Sequence, residues 1–259
     1  MKIVGCGGAS LHPRIERIFW AAGIKILNMY GLTETSPIIT INRQDWPLCR
    51  LGSVGALIDG VEMKIAEDGE ILCRGENVMM GYFKDDELTR SVIDDEGWFH
   101  TGDVGFIEQE RFLMITDRKK EIFKLSNGKY IAPQPIENRI KESAFIDQVM
   151  VTGENEKFAS ALVVPDFNYL KEWSVSQNHP PVSSNHELIC LPDVLSLFSK
   201  EISNLNSTLS EPERIIGFRL LPEVWTPETG ELSASLKLKR KFIEERSKDL
   251  LDSIYRRRS

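Results

Sequence analysis

Apolar and polar positions change period several times along this chain. Lys2–Cys6 is a short apolar run that stops at Gly7-Gly8, which predicts a buried strand ending in a tight turn. In Pro13–Gly23 the residues Ile15, Ile18, Phe19 and Ala22 fall on one helical face, and Gly23 ends the helix. Lys25–Met29 predicts a second short strand. Strand, helix, strand is a βαβ unit, which needs parallel pairing. Two parallel strands do not make a sheet that stands alone, so the pattern implies sequence upstream of Met1. Lys2–Cys6 and Lys25–Met29 are then expected to expose sheet edges that invite self-association.

From Arg50 to Thr116 the period shortens. VEMKIAEDGEILCRG predicts two strands around the Asp68-Gly69 turn, and Phe106–Ile107 and Phe112–Ile115 bracket the polar turn Glu108–Arg111. Asp85–Ile93 predicts a short helix. Short strands with tight turns suggest a small β-barrel or a distorted sheet.

Asp117-Arg118-Lys119-Lys120 is a charged break. Beyond it, Glu121–Leu125 and Tyr130–Ala132 flank a Ser-Asn-Gly turn. Pro135–Ser143 predicts a helix with proline in its first turn. Gln148–Thr152 and Phe158–Val164 predict strands. Asp166 is placed to cap a helix running to Ser176. Gln177–His186 reads as a surface loop, Val194–Leu209 as a helix, Ile215–Leu221 as a strand, and Leu238–Tyr255 as one charged helix. The fold class is therefore α/β and α+β: an incomplete parallel βαβ plus small barrel over 1–117, then a small α+β domain over 118–259.

Composition narrows the function. A net charge of −7 and a pI near 5.3 argue against a nucleic-acid-binding domain, yet leave a nucleotide substrate open. Cys6, Cys49, Cys73 and Cys190 form no close pair, so zinc is not expected; they read as buried, reduced thiols. The chain holds no apolar run of about 18 residues and no signal-peptide core, which predicts a soluble, cytoplasmic protein. The basic tail Arg256–Ser259 allows at most peripheral contact with the inner membrane face.

Candidate chemistry concentrates at Tyr30-Gly31-Leu32-Thr33-Glu34-Thr35. The segment follows a strand end, where parallel sheets place ligands. It offers an aromatic face, a glycine, hydroxyls and a carboxylate, a set suited to a purine, a phosphate and a hard cation. Taken alone, those residues fit an ordinary turn better than a ligand site.

The segment resembles the core motif of adenylate-forming enzymes, a superfamily of acyl-CoA synthetases, luciferases and peptide-synthetase adenylation domains. Gly7-Gly8-Ala9 resembles its adenine-contacting loop, Trp98–Asp103 (WFHTGD) its ribose motif, Asp117–Lys120 its hinge, Lys124–Glu137 the segment that follows, and Leu232–Lys237 (LSASLK) its lysine loop. These matches run in family order over nearly the whole chain. Asp166–Trp173 and Glu223–Arg240 are most similar to bacterial long-chain fatty-acid–CoA ligases, although Ser233-Ala234-Ser235 replaces the usual Thr-Pro-Thr.

The resemblance implies ligands and roles. Fatty acid, ATP/AMP, Mg²⁺ and coenzyme A are the expected small molecules, without nucleic acid. Tyr30, beside Gly31, is expected to stack on adenine, Thr33 to donate to the α-phosphate, and Glu34 to help hold Mg²⁺. Asp103 is expected to accept from the ribose hydroxyls, with Arg118 near ribose or phosphate. Lys120 is the expected pivot, Gly128 the lining of the pantetheine tunnel, and Lys237 the lysine of the adenylation step. Lys119-Lys120 also reads as a solvated linker, and Lys237 as one more lysine beside Lys239 and Lys241. The family's Ser/Thr/Gly-rich phosphate loop is absent from the chain, so little or no ligase activity is expected of the chain alone. Two other readings stand beside this one: an aryl- or amino-acid-activating relative, and an inactive nucleotide- or CoA-binding fragment.

Overall fold

A computed structural model describes residues 3–8, 11, 13–44, 47–179 and 182–256. They form two compact units, Met1–Lys120 and Glu121–Ser259.

In the first unit, β1 (Ile3–Cys6), α1 (Pro13–Ala21) and β2 (Lys25–Tyr30) make the expected parallel βαβ step, with Cys6 opposite Asn28. Gly23, at φ +80°, ends the helical stretch. The apolar face of α1 is not buried, however. Ile15, Ile18 and Phe19 are exposed, and the side chain the helix buries is Glu16. Its carboxylate accepts from Asn28 Nδ2 at 2.9 Å and from the Gly52 amide at 2.8 Å. Buried polar groups need such partners, so α1 is fastened to β2 by hydrogen bonds rather than by its isoleucines.

The remaining strands are β3 (Thr40–Ile41), β4 (Ala56–Leu57), β5 (Val61–Ile65), β6 (Glu70–Gly75), β7 (Phe99–Glu108) and β8 (Phe112–Arg118), with α2 (Asp86–Val92) between β6 and β7. They join β1 and β2 in one eight-stranded sheet, ordered β1-β2-β3-β4-β8-β7-β6-β5. The sheet is open, so the expected small barrel is corrected. It is also strongly curled. β2 and β7 are four places apart, which is about 19 Å on a flat sheet, yet side chains from the two strands touch. Very short β3 and β4, and a single paired position between β4 and β8, allow that bend. Of the two strands expected to expose edges, only β1 does so; β2 is covered by β3. Tyr30, Ile39, Val61, Ile71, Cys73, Phe99 and Leu113 fill the core of this unit. Cys49 and Cys73 are buried, but Cys6 is half-buried and Cys190 exposed, unlike the expected set of four buried thiols.

The second unit opens with the hairpin β9 (Phe123–Lys124) and β10 (Tyr130–Ile131), then α3 (Pro133–Ile140). A three-stranded sheet follows: β11 (Ile146–Thr152) antiparallel to β12 (Ala159–Pro165), with β13 (Ile215–Leu220) parallel on the other side. Every residue of central β12 is buried, as a strand covered on both faces must be. Between β12 and β13 lie α4 (Phe167–Ser176), α5 (Asn185–Cys190) and α6 (Pro192–Asn206). Asp166 caps α4 as expected, accepting from the amides of Asn168 and Tyr169. α5 lies partly within the stretch expected to be loop. The expected single C-terminal helix is two, α7 (Arg240–Arg246) and α8 (Lys248–Arg256), which meet at Ser247. No helix among the described residues is long and apolar enough to cross a membrane.

Candidate active site

The site in the first unit begins where parallel β1 and β2 end. Gly7 and Gly8 follow β1; a Cβ on Gly7 would lie 2.7 Å from the Met29 side chain, and Gly8 has φ +82°. Ala9 lies outside the described residues. After β2, a Cβ on Gly31 would fall 1.8 Å from the Pro37 carbonyl oxygen. Only glycine lets the chain double back there. Thr33–Thr35 forms a single 3₁₀ turn. The Thr35 hydroxyl accepts from the Leu32 amide and donates to the Leu32 carbonyl. Asn77 Nδ2 donates to the carbonyls of Thr35 and Ile38, at 3.0 and 3.2 Å. This turn leaves Thr33 exposed and Glu34 half-buried. The Tyr82 hydroxyl donates to Glu34 Oε1 at 2.9 Å, and the Met79 amide donates to the Glu34 carbonyl at 2.8 Å.

Curling of the sheet brings Asp103 of β7 to Tyr30. The phenol donates to Asp103 Oδ2 at 2.7 Å, and Arg118 Nε lies 3.1 Å from Asp103 Oδ1. Asp103 and Arg118 are paired opposite each other in the β7–β8 ladder, which explains their contact. Asp103 is 5 % exposed and Tyr30 8 %. Burial first, and then the Asp103 charge, push the phenol's pKa far above its ordinary value. Tyr30 is therefore a neutral donor as well as an aromatic surface. The Thr101 hydroxyl accepts from the Asp103 amide at 3.2 Å and donates to Ile71 O at 2.7 Å. Tyr30, Asp103 and Arg118 are thus brought together in one unit, with Thr33 and Glu34 on the loop leaving Tyr30.

Gly128 and Lys237 belong to the second unit. Gly128, at φ +87°, forms the β9–β10 turn, and its amide donates to Leu125 O at 2.9 Å. Lys237 is exposed near the tip of a small loop. The loop closes through a Leu232–Leu238 bridge, a Ser233 amide to Lys237 carbonyl bond of 2.8 Å, and a Lys237 amide to Ser233 Oγ bond of 3.0 Å. Ser233 thus makes from its side chain one of the bonds that hold the turn. Glu231, buried at the loop base, is held by Arg246 and Thr229, and the Lys239 amide donates to its carbonyl.

Several residues of these sites escaped the sequence reading. Arg240 lies three residues past Lys237, and its guanidinium takes both oxygens of buried Glu137 at 2.8 Å and Glu121 Oε2 at 3.0 Å. A signal existed: Glu137 occupies a core position of α3 with Ile136 and Ile140, and a buried carboxylate demands a cation. Tyr82 and Asn77 carried none, because their partners are set by tertiary curl.

Comparison with known proteins places this geometry in a class. Residues 1–83 match the model of the AMP-binding enzyme family, and residues 120–259 match that of its C-terminal domain. The chain belongs to the AMP-binding enzyme family. Among its relatives, long-chain-fatty-acid–CoA ligase FadD15 of Mycobacterium tuberculosis is 34 % identical over 249 residues, covering 96 % of this chain and 41 % of that protein. Human long-chain-fatty-acid–CoA ligase 1 is 36 % identical over 271 residues, covering 98 % and 38 %. The chain therefore spans about two-fifths of the length of these relatives. Among solved structures, the A domain of a carboxylic acid reductase from Segniliparus rugosus, in complex with AMP, superposes with a TM-score of 0.77 at 22 % identity, covering 99 % of this chain and 39 % of that one. An O-succinylbenzoate CoA synthetase from Bacillus subtilis, in complex with ATP and magnesium, gives 0.67 at 23 %, covering 92 % and 45 %. These likenesses establish the fold.

Proposed function

We propose that this chain is the adenosine-holding and lysine-bearing part of a fatty-acid–CoA ligase. The observation that carries the reading is the buried Tyr30–Asp103 pair, with exposed Arg118 held to Asp103, at the loop that leaves the parallel strands. The fatty-acid ligases among the relatives supply the substrate class.

In this reading Tyr30 stacks its ring face on adenine beside Gly7 and Gly8. Asp103, already oriented by Tyr30 and Arg118, accepts from the ribose hydroxyls. Thr33 donates to the α-phosphate. Among the described residues no three His, Cys, Asp or Glu side chains gather as ion ligands, so Glu34 would offer Mg²⁺ one oxygen, the others coming from phosphate and water. The Lys237 ammonium neutralises charge shared by the fatty carboxylate, the phosphate and departing pyrophosphate, a positioned-charge contribution that is often the largest in such chemistry. The carboxylate oxygen bonds to the α-phosphorus and pyrophosphate leaves; the thiol of coenzyme A then takes the acyl carbonyl and AMP leaves. Gly128, with no side chain, lets pantetheine pass close to the β9–β10 turn. Lys120 is the position at which the second unit, about 121–259, turns between the steps, which also sets the domain boundary close to 117–120.

Calorimetric titration of the chain with AMP tests this reading, with palmitate-dependent pyrophosphate release as a second measurement. The expected result is AMP binding that Asp103→Asn weakens about tenfold or more, the scale of a lost charge-assisted hydrogen bond. Sustained turnover is not expected from this chain alone. Absence of AMP binding, or an Asp103→Asn variant that binds AMP as well as the parent, would overturn it.

A further inference from the structure

A carboxylate outside every motif grips the residues that flank the Asp103–Arg118 pair. Glu70, the first residue of β6, is 4 % exposed. A carboxylate so placed is costly unless it is fully partnered. Its Oε1 accepts from the Gly102 amide at 2.9 Å, and its Oε2 accepts from Lys119 Nζ at 2.8 Å and lies 3.1 Å from His100 Nδ1. Asp68 shares the Lys119 ammonium at 2.7 Å. The Lys119 amide in turn donates to the Gly102 carbonyl at 2.9 Å.

Gly102 is therefore held on both sides, its N–H by Glu70 and its C=O by Lys119. At φ +71° its backbone takes the left-handed form that glycine tolerates, one residue before Asp103. Lys119 is one residue after Arg118 and one before Lys120. We propose that Glu70 is a positioning residue that locks Gly102 and Lys119 together, so orienting the Asp103–Arg118 pair and making Lys120 the first position free to turn. The proposal rests on the reading of Asp103 as the ribose acceptor. Desolvation works against the Glu70 charge, but the bonds from Lys119, His100 and Gly102 outweigh it and hold the carboxyl below its ordinary range. Glu70 is accordingly ionised at neutral pH, as a lock on an ammonium requires.

Two measurements on the 259-residue chain test the lock, with Glu70→Gln and Lys119→Met as disrupting variants and Lys119→Arg as the conservative one. The first is amide exchange with trypsin mapping, without nucleotide. In the parent, trypsin should cut after Lys120 and spare Lys119. Glu70→Gln and Lys119→Met should speed exchange at Gly102 and at residue 119 about tenfold, with β5 and the second unit unchanged. Glu70→Gln should also open the Lys119 bond to trypsin, while Lys119→Arg keeps the parent exchange pattern. Unchanged exchange and cleavage in Glu70→Gln, or a uniform rise across the first unit, would overturn the proposal. The second is the ratio of affinities for AMP and 2′,3′-dideoxy-AMP. A residue acting through Asp103 should lower that ratio roughly three- to tenfold in Glu70→Gln, the range of coupling between neighbouring groups, and leave dideoxy-AMP binding as it was. Equal loss for both nucleotides would make Glu70 merely structural and sink the proposal. A parent chain with no preference for AMP would instead sink the ribose role of Asp103, and the exchange pattern would still judge the lock.

Discussion

The Tyr30 hydroxyl donates to Asp103 Oδ2 across 2.7 Å although 73 positions separate the residues in the chain. The bond closes the curl of the sheet: it ties the end of β2 to β7 over three intervening strands. Removing the hydroxyl strips a buried carboxylate of a donor without opening a large cavity. Tyr30→Phe is therefore expected to destabilise the first unit by about 1–3 kcal/mol, read from urea denaturation at neutral pH.

The same bond predicts an alkaline signature. The folded state raises the Tyr30 pKa, through burial and the Asp103 charge. A raised pKa contributes stability in full below the unfolded-state value of about 10, and that contribution is lost as pH climbs above it. Denaturation midpoints of the parent chain should fall between about pH 10 and 11.5, and the Tyr30→Phe variant should show a shallower decline. Tyr255, in the second unit, is pushed up to about 12 mainly by burial and adds its own slope. It is common to both proteins and cancels in the comparison.

Gly31 has a purely geometric requirement. A methyl group there would overlap the Pro37 carbonyl oxygen. The conflict is with backbone, so no rotamer change relieves it. Gly31→Ala is expected to displace the turn that carries Thr33 and Glu34 and to destabilise the unit by more than about 2 kcal/mol. Loss of AMP binding in titration, with second-unit amide exchange unchanged, would distinguish this local effect from general unfolding.

Much of this was legible because local rules and tertiary packing agree. The Asp68-Gly69 turn, the Asp166 cap and the buried run of β12 each follow from a few adjacent residues. Tyr30 and Asp103 each stand in a segment whose motif was legible. Their mutual bond was not, because it depends on how far the sheet curls, and two-residue strands such as β3 and β4 leave almost no periodic trace. Helix α1 misled for a different reason. Its isoleucines have the spacing of a buried face, yet in this chain the helix docks through Glu16, and periodicity does not say which elements are present to cover a face. The C-terminal helix was over-extended because its apolar spacing continues through Ser247, where the backbone breaks. Glu70 and its partner Lys119 are distant in the chain and left no trace of their pairing, whereas the Arg240 pair left one only at its other end, in Glu137 on the core face of α3.

Arg240 is expected to matter for stability more than for direct chemistry. It is half-buried against Glu137 and Glu121; desolvation opposes its charge, but the two carboxylates more than offset that and raise its pKa. Arg240→Ala would leave Glu137 buried without its cation, a change that costs about 3–5 kcal/mol. Arg240→Lys keeps the charge but loses the two-pronged contact with Glu137, and its cost should be smaller. Thermal denaturation of both variants checks the order. An alanine variant as stable as the parent would mean that the pair does not anchor α7.

Lys237 should behave in the opposite way, and the contrast separates anchoring from chemistry within one short loop. The residue is exposed, and the bonds that shape its turn come from its backbone and from Ser233, which alanine at 237 leaves in place. Lys237→Ala is therefore expected to change stability by less than about 0.5 kcal/mol, or about 1–2 °C in Tm for a unit of this size. AMP affinity should also stay within twofold, since the proposed function seats adenosine on Tyr30 and Asp103. On the proposed function, formation of the acyl-adenylate, followed by pyrophosphate release in the full-length protein, should drop about 10²- to 10³-fold, as expected when a charge positioned on the reacting groups is removed. Lys239→Ala and Lys241→Ala serve as controls, because a loss that depended only on local positive charge would appear in all three. If Lys237→Ala turned over at the parent rate, or the three variants lost activity equally, Lys237 would be one solvated lysine among several, and the adenylation step would need another cation.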